Sequence, residues 1–356
     1  MDTKGLIIIV ITVFFKNSYL FDIIVYFILL CCLLWGIKKK NYNIDEKEFL
    51  KEINGFRGFF AVEVLLGHVV QYQQGTALRP LSLFMMCSVG FFFFVSSYNM
   101  TYKLRSVGDY LDASFIIRKY TYLFSVTMII YLFCCLVSQF TKSGIWYFND
   151  WKILALGYWD RTNWYIWVLM FFYLLFYLVA RVPQNIRSYV LLGVVLVITV
   201  LESTLGWQER YFISSMCFPF GMIYSDNIDW FKEKKNRILI IFGVILGIIL
   251  GGLTLIFDLG SIVMCICKNF FCISVILVIV MVIQVFTIDN RLLRFLNSIS
   301  LEIFLLSFLW ISVFQNWGFD YRYVLCGSLV LSVLVGHLFH PIFKLIRDVT
   351  NRFGFR

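Results

Sequence analysis

A chain of 356 residues that is 61% hydrophobic and only 15% charged is not an ordinary soluble domain, in which charged residues run near 25%. A mean hydropathy of +0.83 and 39 phenylalanines place most of it in a bilayer, as a polytopic all-α bundle. The net charge of +10 does not read as nucleic-acid binding, because the basic residues gather in alternate short loops, the pattern that orients membrane proteins.

Residues 5–36 are apolar, broken by Lys16-Asn17-Ser18 and Asp22. Residues 5–15 are too short for a crossing, which takes about 20 residues. One span is expected near 18–36, ended by Lys38-Lys39-Lys40, with a short hairpin as the alternative that would reverse the N-terminus. No small-residue cleavage site marks a removed signal peptide. Residues 37–53 form a polar, basic connector. Ten further spans follow near 55–73, 81–102, 115–138, 163–180, 188–206, 210–225, 238–257, 262–288, 297–315 and 323–346. The organisation expected is therefore an extra N-terminal span with its connector (1–54), a ten-span membrane domain (55–346) and a basic tail (347–356). Of the 31 lysines and arginines, 22 fall on one side of these spans, 7 on the other, and two precede the first. That bias makes Arg57 and the C-terminus cytoplasmic in a multi-pass protein of the cytoplasmic membrane.

The first of the ten spans carries Arg57 and, eleven positions later, His68. Eleven helical steps come to about 20° past three turns, so both side chains share one face, with a rise of about 16 Å between them. With Arg57 at a membrane surface, His68 lies near mid-membrane, where an ionisable group marks function by default. The bland alternative is a histidine bonded to a neighbouring helix for packing. Glu63 stands about 140° away from His68 and is not its helper through that helix.

Further along, 140–162 is the longest outer segment and holds Trp146, Tyr147, Trp151, Tyr158 and Trp159. It reads equally as an interfacial aromatic belt or as a stacking platform for a sugar. Ser96 and Asn163 are candidate pocket groups, with helix–helix hydrogen bonding as the alternative. Glu302, near the inner end of its span, is expected to pair with Arg57 or Arg118, because an unpaired intramembrane carboxylate is costly. His337 and His340 share a face, and interfacial packing is expected of them. The ten cysteines lie mostly in apolar runs and act as small hydrophobes. No Cys/His spacing matches a zinc site, so no metal is expected.

Six segments together resemble the membrane-bound acyltransferase type 3 family. Phe56-Arg57-Gly58 with Ala61, Val64 and His68 is similar to its arginine-to-histidine signature. Gly90-Phe91-Phe92-Phe93-Phe94-Val95-Ser96-Ser97-Tyr98 resembles its second-helix run, and Arg118 its basic third-helix start. Asn163-Trp164 with Tyr173, Phe218-Pro219-Phe220-Gly221-Met222, and Asn297 through Leu306 resemble later motifs in the family's order. The chain departs from the pattern at Ser307, at Ser97 and at Leu169, where the family commonly has His, Gly and, in one branch, Glu.

The resemblance implies transfer of an acyl group, most often acetyl from acetyl-CoA, to a hydroxyl of a cell-surface or lipid-linked glycan. His68 would act as general base or as acyl acceptor. Arg57, Arg118 and Lys119 would meet the phosphates of the CoA. Ser96, Asn163, Trp164, Tyr173 and Glu302 would line the substrate site. Acyl-CoA would be a donor substrate, with no tightly bound cofactor. Partners would be the glycan acceptor and membrane lipids, with no nucleic acid, and a homo-oligomer is compatible with the reading. The rival reading is a non-catalytic transporter or flippase, whose signature of paired broken helices in repeated halves is not visible in the sequence.

Overall fold

A backbone in lipid has no water to bond, so it closes its hydrogen bonds within helices. A computed structural model describes residues 18–40, 45–71, 73, 76–107, 110–112, 114–142, 164–257, 261–288 and 290–352. Their helices, in chain order, are α1 (Ser18–Leu34), α2 (Glu46–Gly55), α3 (Arg57–Val70), α4 (Leu81–Ser106), α5 (Phe115–Thr141), α6 (Trp164–Val179) and α7 (Gln184–Thr204). Then come α8 (Cys217–Asp226), α9 (Ile228–Lys232), α10 (Arg237–Ile256), α11 (Ser261–Val285), α12 (Arg291–Ser298), α13 (Ser300–Asn316) and α14 (Tyr321–Arg352). Seven helical stretches among the described residues are long and apolar enough to cross a membrane, and the bent pair α12–α13 would make an eighth. The protein is an all-α polytopic membrane bundle.

Each expected span holds a helix, but α1 with 17 residues and α6 with 16 fall short of a full crossing, and one further span differs in kind. The crossing expected at 210–225 is the ten-residue α8, whose rise of about 15 Å is half a bilayer core. Hydropathy could not show this, because α8 is apolar and buried rather than lipid-facing. It packs on α4 and α7. Gly221 makes that fit possible: a Cβ there would press on the Phe94 carbonyl and come within 3.0 Å of Ser97 Cβ. The stretch 37–39 also differs from the polar connector expected. Ile37–Lys39 forms a strand (β1) antiparallel to Phe286–Ile288 (β2), where the helix expected to reach 288 ends.

α1 is tied to the bundle by a buried acid. Asp22 accepts hydrogen bonds from Thr76 Oγ1 at 2.8 Å, the Ala77 amide at 2.7 Å and the Tyr321 hydroxyl at 3.0 Å. The carboxylate that interrupts the apolar run in the sequence is thus a clamp between α1, the loop before α4 and the start of α14.

α3 is the central element. It packs against α4, α12, α13 and α14, and its residues from Phe60 to Gly67 are all buried. Its start abuts the break between α12 and α13, which meet at a bend of 73°. Gly58 lets the two backbones touch: a Cβ there would lie 2.6 Å from the Leu296 carbonyl carbon and press on the Asn297 amide. The side chains that α3 leaves partly open are Arg57 and Phe59 at one end and His68 at the other.

Candidate active site

Each end of α3 opens into a cavity. His68 lines one of 370 Å³, together with Gln71 that caps the end of the same helix, Ser82 and Met86 from α4, Trp164 from α6 and Ser307 from α13. Arg210 and Lys268 line it as well. The Gln71 amide nitrogen lies 3.4 Å from His68 Nδ1, and as placed it donates to Nδ1, which leaves the proton of a neutral ring on Nε2. With the amide turned over, its carbonyl would accept from Nδ1–H and the Nε2 lone pair would be free to take a proton.

Arg57 lines the other cavity, of 460 Å³. Lys119, Lys344 and Arg347 line it too, and among the described residues its one lining carboxylate is Glu302. His340 Nδ1 holds Glu302 Oε1 at 3.0 Å. The Lys119 ammonium stands 5.5 Å over the Tyr173 ring, and Ser96 and Tyr173 belong to the same wall. Four cations against one occupied acid make a chamber suited to a polyanion, because guanidinium and ammonium groups bind phosphate by charge-assisted hydrogen bonds.

The cavities meet at a cluster of three rings. Tyr165 lines the Arg57 cavity and Phe304 the His68 cavity, and their centroids are 5.1 Å apart. Phe92 touches both, at 6.1 Å and 6.4 Å. A cationic chamber is thus separated from a histidine chamber by one layer of aromatic side chains.

A family model described as an acyltransferase domain matches residues 50–340. The chain belongs to the acyltransferase type 3 family. No curated protein and no solved structure matches it. It is a multi-pass membrane acyltransferase, and α3, at its centre, carries the stretch from Arg57 to His68 that resembles the family's arginine-to-histidine signature.

The acyltransferase places the residues singled out from its sequence in three groups. Trp164 joins His68 in one cavity, while Ser96, Lys119, Tyr173 and Glu302 join Arg57 in the other. Arg118 lies outside both linings. Both its terminal nitrogens bond Asp112, each at 2.7 Å, in a bidentate pair. That guanidinium holds the Asp112 carboxyl below its usual range. Asn163 and the aromatic segment at 143–162 lie outside the described residues.

Two expectations need correction. Glu302 pairs with His340, not with Arg57 or Arg118, because α14 packs directly on α13: a Cβ on Gly336 would meet Glu302 Cβ at 3.1 Å. His340 therefore does more than fill an interface, whereas His337 lies against the Phe295 ring, 5.5 Å between centroids. Glu63 turns away from His68, as its angle on the helix requires, and bonds the Ser88 hydroxyl in the α3–α4 contact.

Several cavity residues carried no signal of their own in the sequence. Arg210, Lys268, Lys344 and Arg347 looked like orientation charges, since a loop cation and a cavity cation are the same letter. Gln71 was legible in principle: i+3 from His68 on a helix is contact distance.

Proposed function

We propose that this acyltransferase moves an acetyl group from cytoplasmic acetyl-CoA to a hydroxyl of a cell-surface or lipid-linked glycan. The observation that carries the reading is the pair of cavities at the ends of α3, one rich in cations and one holding His68, divided by Phe92, Tyr165 and Phe304. The CoA phosphates bind in the Arg57 chamber, with Lys119, Lys344 and Arg347 beside Arg57. The thioester arm passes the ring layer toward His68. The acceptor enters the opposite cavity and lays a sugar face on Trp164.

His68 takes the proton of the attacking hydroxyl as the new C–O bond forms at the thioester carbonyl. The C–S bond breaks, and the CoA thiolate leaves and is protonated. General base catalysis of this kind is worth about 10²–10⁴ in rate. The basic residues that bias one side of the chain support a cytoplasmic face for Arg57 and for the C-terminus, in the cytoplasmic membrane.

Membranes carrying the protein, given acetyl-CoA labelled in the acetyl group, are expected to release CoA and label the surface glycan. Mass spectrometry of that glycan with and without the gene identifies the acylated sugar. Unchanged glycan and no CoA release would instead point to a carrier without chemistry.

A further inference from the structure

The break between α12 and α13 leaves a helix end at the Arg57 cavity. α13 starts at Ser300 after the bend of 73°, and Asn297, Ser298, Ser300, Leu301 and Glu302 all line the cavity. Ile299, at the cap position, supplies no side-chain hydrogen bond. Its own amide bonds the Asn297 carbonyl, and the Glu302 amide meets its own carboxylate. The amides of Ser300 and Leu301 have no hydrogen-bond partner among the described residues. A helix N-terminus with unmet N–H groups carries about half a positive charge and favours an anion.

A buried side chain points to the same place. Ser300 is 3% exposed and lines the cavity, yet its hydroxyl has no hydrogen-bond partner among the described residues. Ser298, two residues before it, closes on the Phe295 carbonyl at 2.7 Å, the local bond open to a serine in a helix. A buried hydroxyl left open is costly, and marks a place for a partner. Arg57 stands at this break too, because the adjoining Gly58 is pressed against Leu296 and Asn297. The Glu302 carboxylate is turned to His340 on α14, at 3.0 Å.

Depth sorts the phosphates of the donor. Phe304, in the ring layer, follows Ser300 on α13 by four residues, about 6 Å along the axis. Lys344 and Arg347 of α14 are exposed, so they stand at the open end of the cavity. Outward from its thioester, acyl-CoA carries the pantetheine arm, then the diphosphate, then the ribose with its 3′-phosphate. We propose that the N-terminus of α13 is the diphosphate site, through the Ser300 and Leu301 amides, the Ser300 hydroxyl and the neighbouring Arg57, and that Lys344 and Arg347 read the 3′-phosphate. This rests on the acyl-CoA reading of the Arg57 cavity. The helix end then sets how far the pantetheine arm reaches past the ring layer toward His68.

The test offers three donors to protein-bearing membranes, with the cell's own surface glycan, stripped of ester groups by mild alkali, as acceptor. The donors are acetyl-CoA, acetyl-dephospho-CoA, which lacks the 3′-phosphate, and S-acetylpantetheine, which lacks every phosphate. Thiol release is followed. Ser300→Asp sets a carboxylate where the diphosphate binds. It is expected to raise the donor KM about tenfold or more, the scale of a lost charge-assisted hydrogen bond, and by the same factor for both nucleotide donors. With S-acetylpantetheine its kcat/KM is expected to match wild type. Because an acid in the first turn complements the helix dipole, its thermal melt is expected to stay level or rise, which separates lost binding from misfolding. Ser300→Ala, which adds no charge, is expected to show the same pattern with a smaller factor. Arg347→Gln is expected to raise KM for acetyl-CoA and to leave acetyl-dephospho-CoA unchanged, since variant and donor then lack the same contact.

A donor KM that neither Ser300 variant moves would overturn the proposal. So would a Ser300→Asp loss confined to acetyl-CoA, because the helix end would then hold the 3′-phosphate, or one shared by S-acetylpantetheine, because the residue would then act on the thioester or the fold. An Arg347→Gln loss that persists with acetyl-dephospho-CoA overturns the role given to that arginine. If wild type releases no thiol from any donor, the acyl-transfer reading fails and this inference falls with it. Release from acetyl-CoA and S-acetylpantetheine with equal KM defeats only the inference.

Discussion

Replacing His68 with Ala is the most direct test of the proposed chemistry. Among the described residues, the cavity lining contains hydroxyls on Ser82, Ser214 and Ser307, the Gln71 amide and two cations, but no carboxylate. With the imidazole gone, none of these described side chains can accept a proton at neutral pH. The loss should therefore fall in the upper half of the range for general base catalysis, about 10³–10⁴-fold in kcat/KM. At about 1.36 kcal/mol per decade this is roughly 4–5.5 kcal/mol of barrier. The fold should survive. His68 faces a space that already exists, and its side-chain contact is the 3.4 Å one to Gln71, so truncation should cost about 1 kcal/mol of stability. The assay is acceptor-dependent CoA release from acetyl-CoA by purified protein in detergent or liposomes, with a thermal melt on the same sample. A fall of less than tenfold in a variant that melts like wild type would refute the assignment of the base. Labelled acetyl retained on wild type without acceptor, and absent from His68→Ala, would show that the imidazole carries the acyl group instead.

Gln71→Ala removes the amide that faces Nδ1 and should lower kcat by about tenfold while leaving the acceptor KM near wild type; a change in KM alone would mean that the amide binds substrate rather than orienting the ring. Gly58→Ala drives a methyl group into the backbone at Leu296 and Asn297 and should cost about 1–3 kcal/mol, as overpacking does; an unchanged thermal melt would show that the α12–α13 break can yield. The pair between Asp112 and Arg118 should give a pH-dependent contribution to stability. Because the folded carboxyl is held below 3.8 by that arginine, its contribution is whole above that pH and is lost as pH falls through the lower folded value. Wild type and Asp112→Asn should thus differ in melting at pH 7 and converge in acid, and a gap that persists in acid would mean that the pair acts through something other than charge.

Much of the site was readable before any coordinates. The spacing of Arg57 and His68 on one helix face is a consequence of helix geometry alone, and α3 runs unbroken from one to the other. Trp164 and Tyr173, nine residues apart on α6, serve different cavities, because that spacing carries them about 14 Å along the axis. Arg118 is bound by a neighbour six residues away, Asp112, a pairing across a turn that the motif alone does not state. Glu302 was rightly expected to need a partner. Which partner depended on how closely α14 approaches α13, and nothing along either helix states that.

Composition, the charge asymmetry and the apolar runs were sufficient for a helical membrane bundle, because lipid leaves a backbone few other ways to satisfy its polar groups. The order of motifs along the chain was sufficient for the family. Three further facts came from tertiary structure. α8 is a buried half-length helix where a full crossing was expected. A layer of three rings from α4, α6 and α13 lies between the cationic and histidine cavities. Arg210 and Lys268, which sequence reads as two loop charges, line one cavity with His68. The physical reason is the same in each case: hydropathy and helical period describe one segment against its solvent, whereas a cavity is defined by segments distant in sequence that stop short of touching.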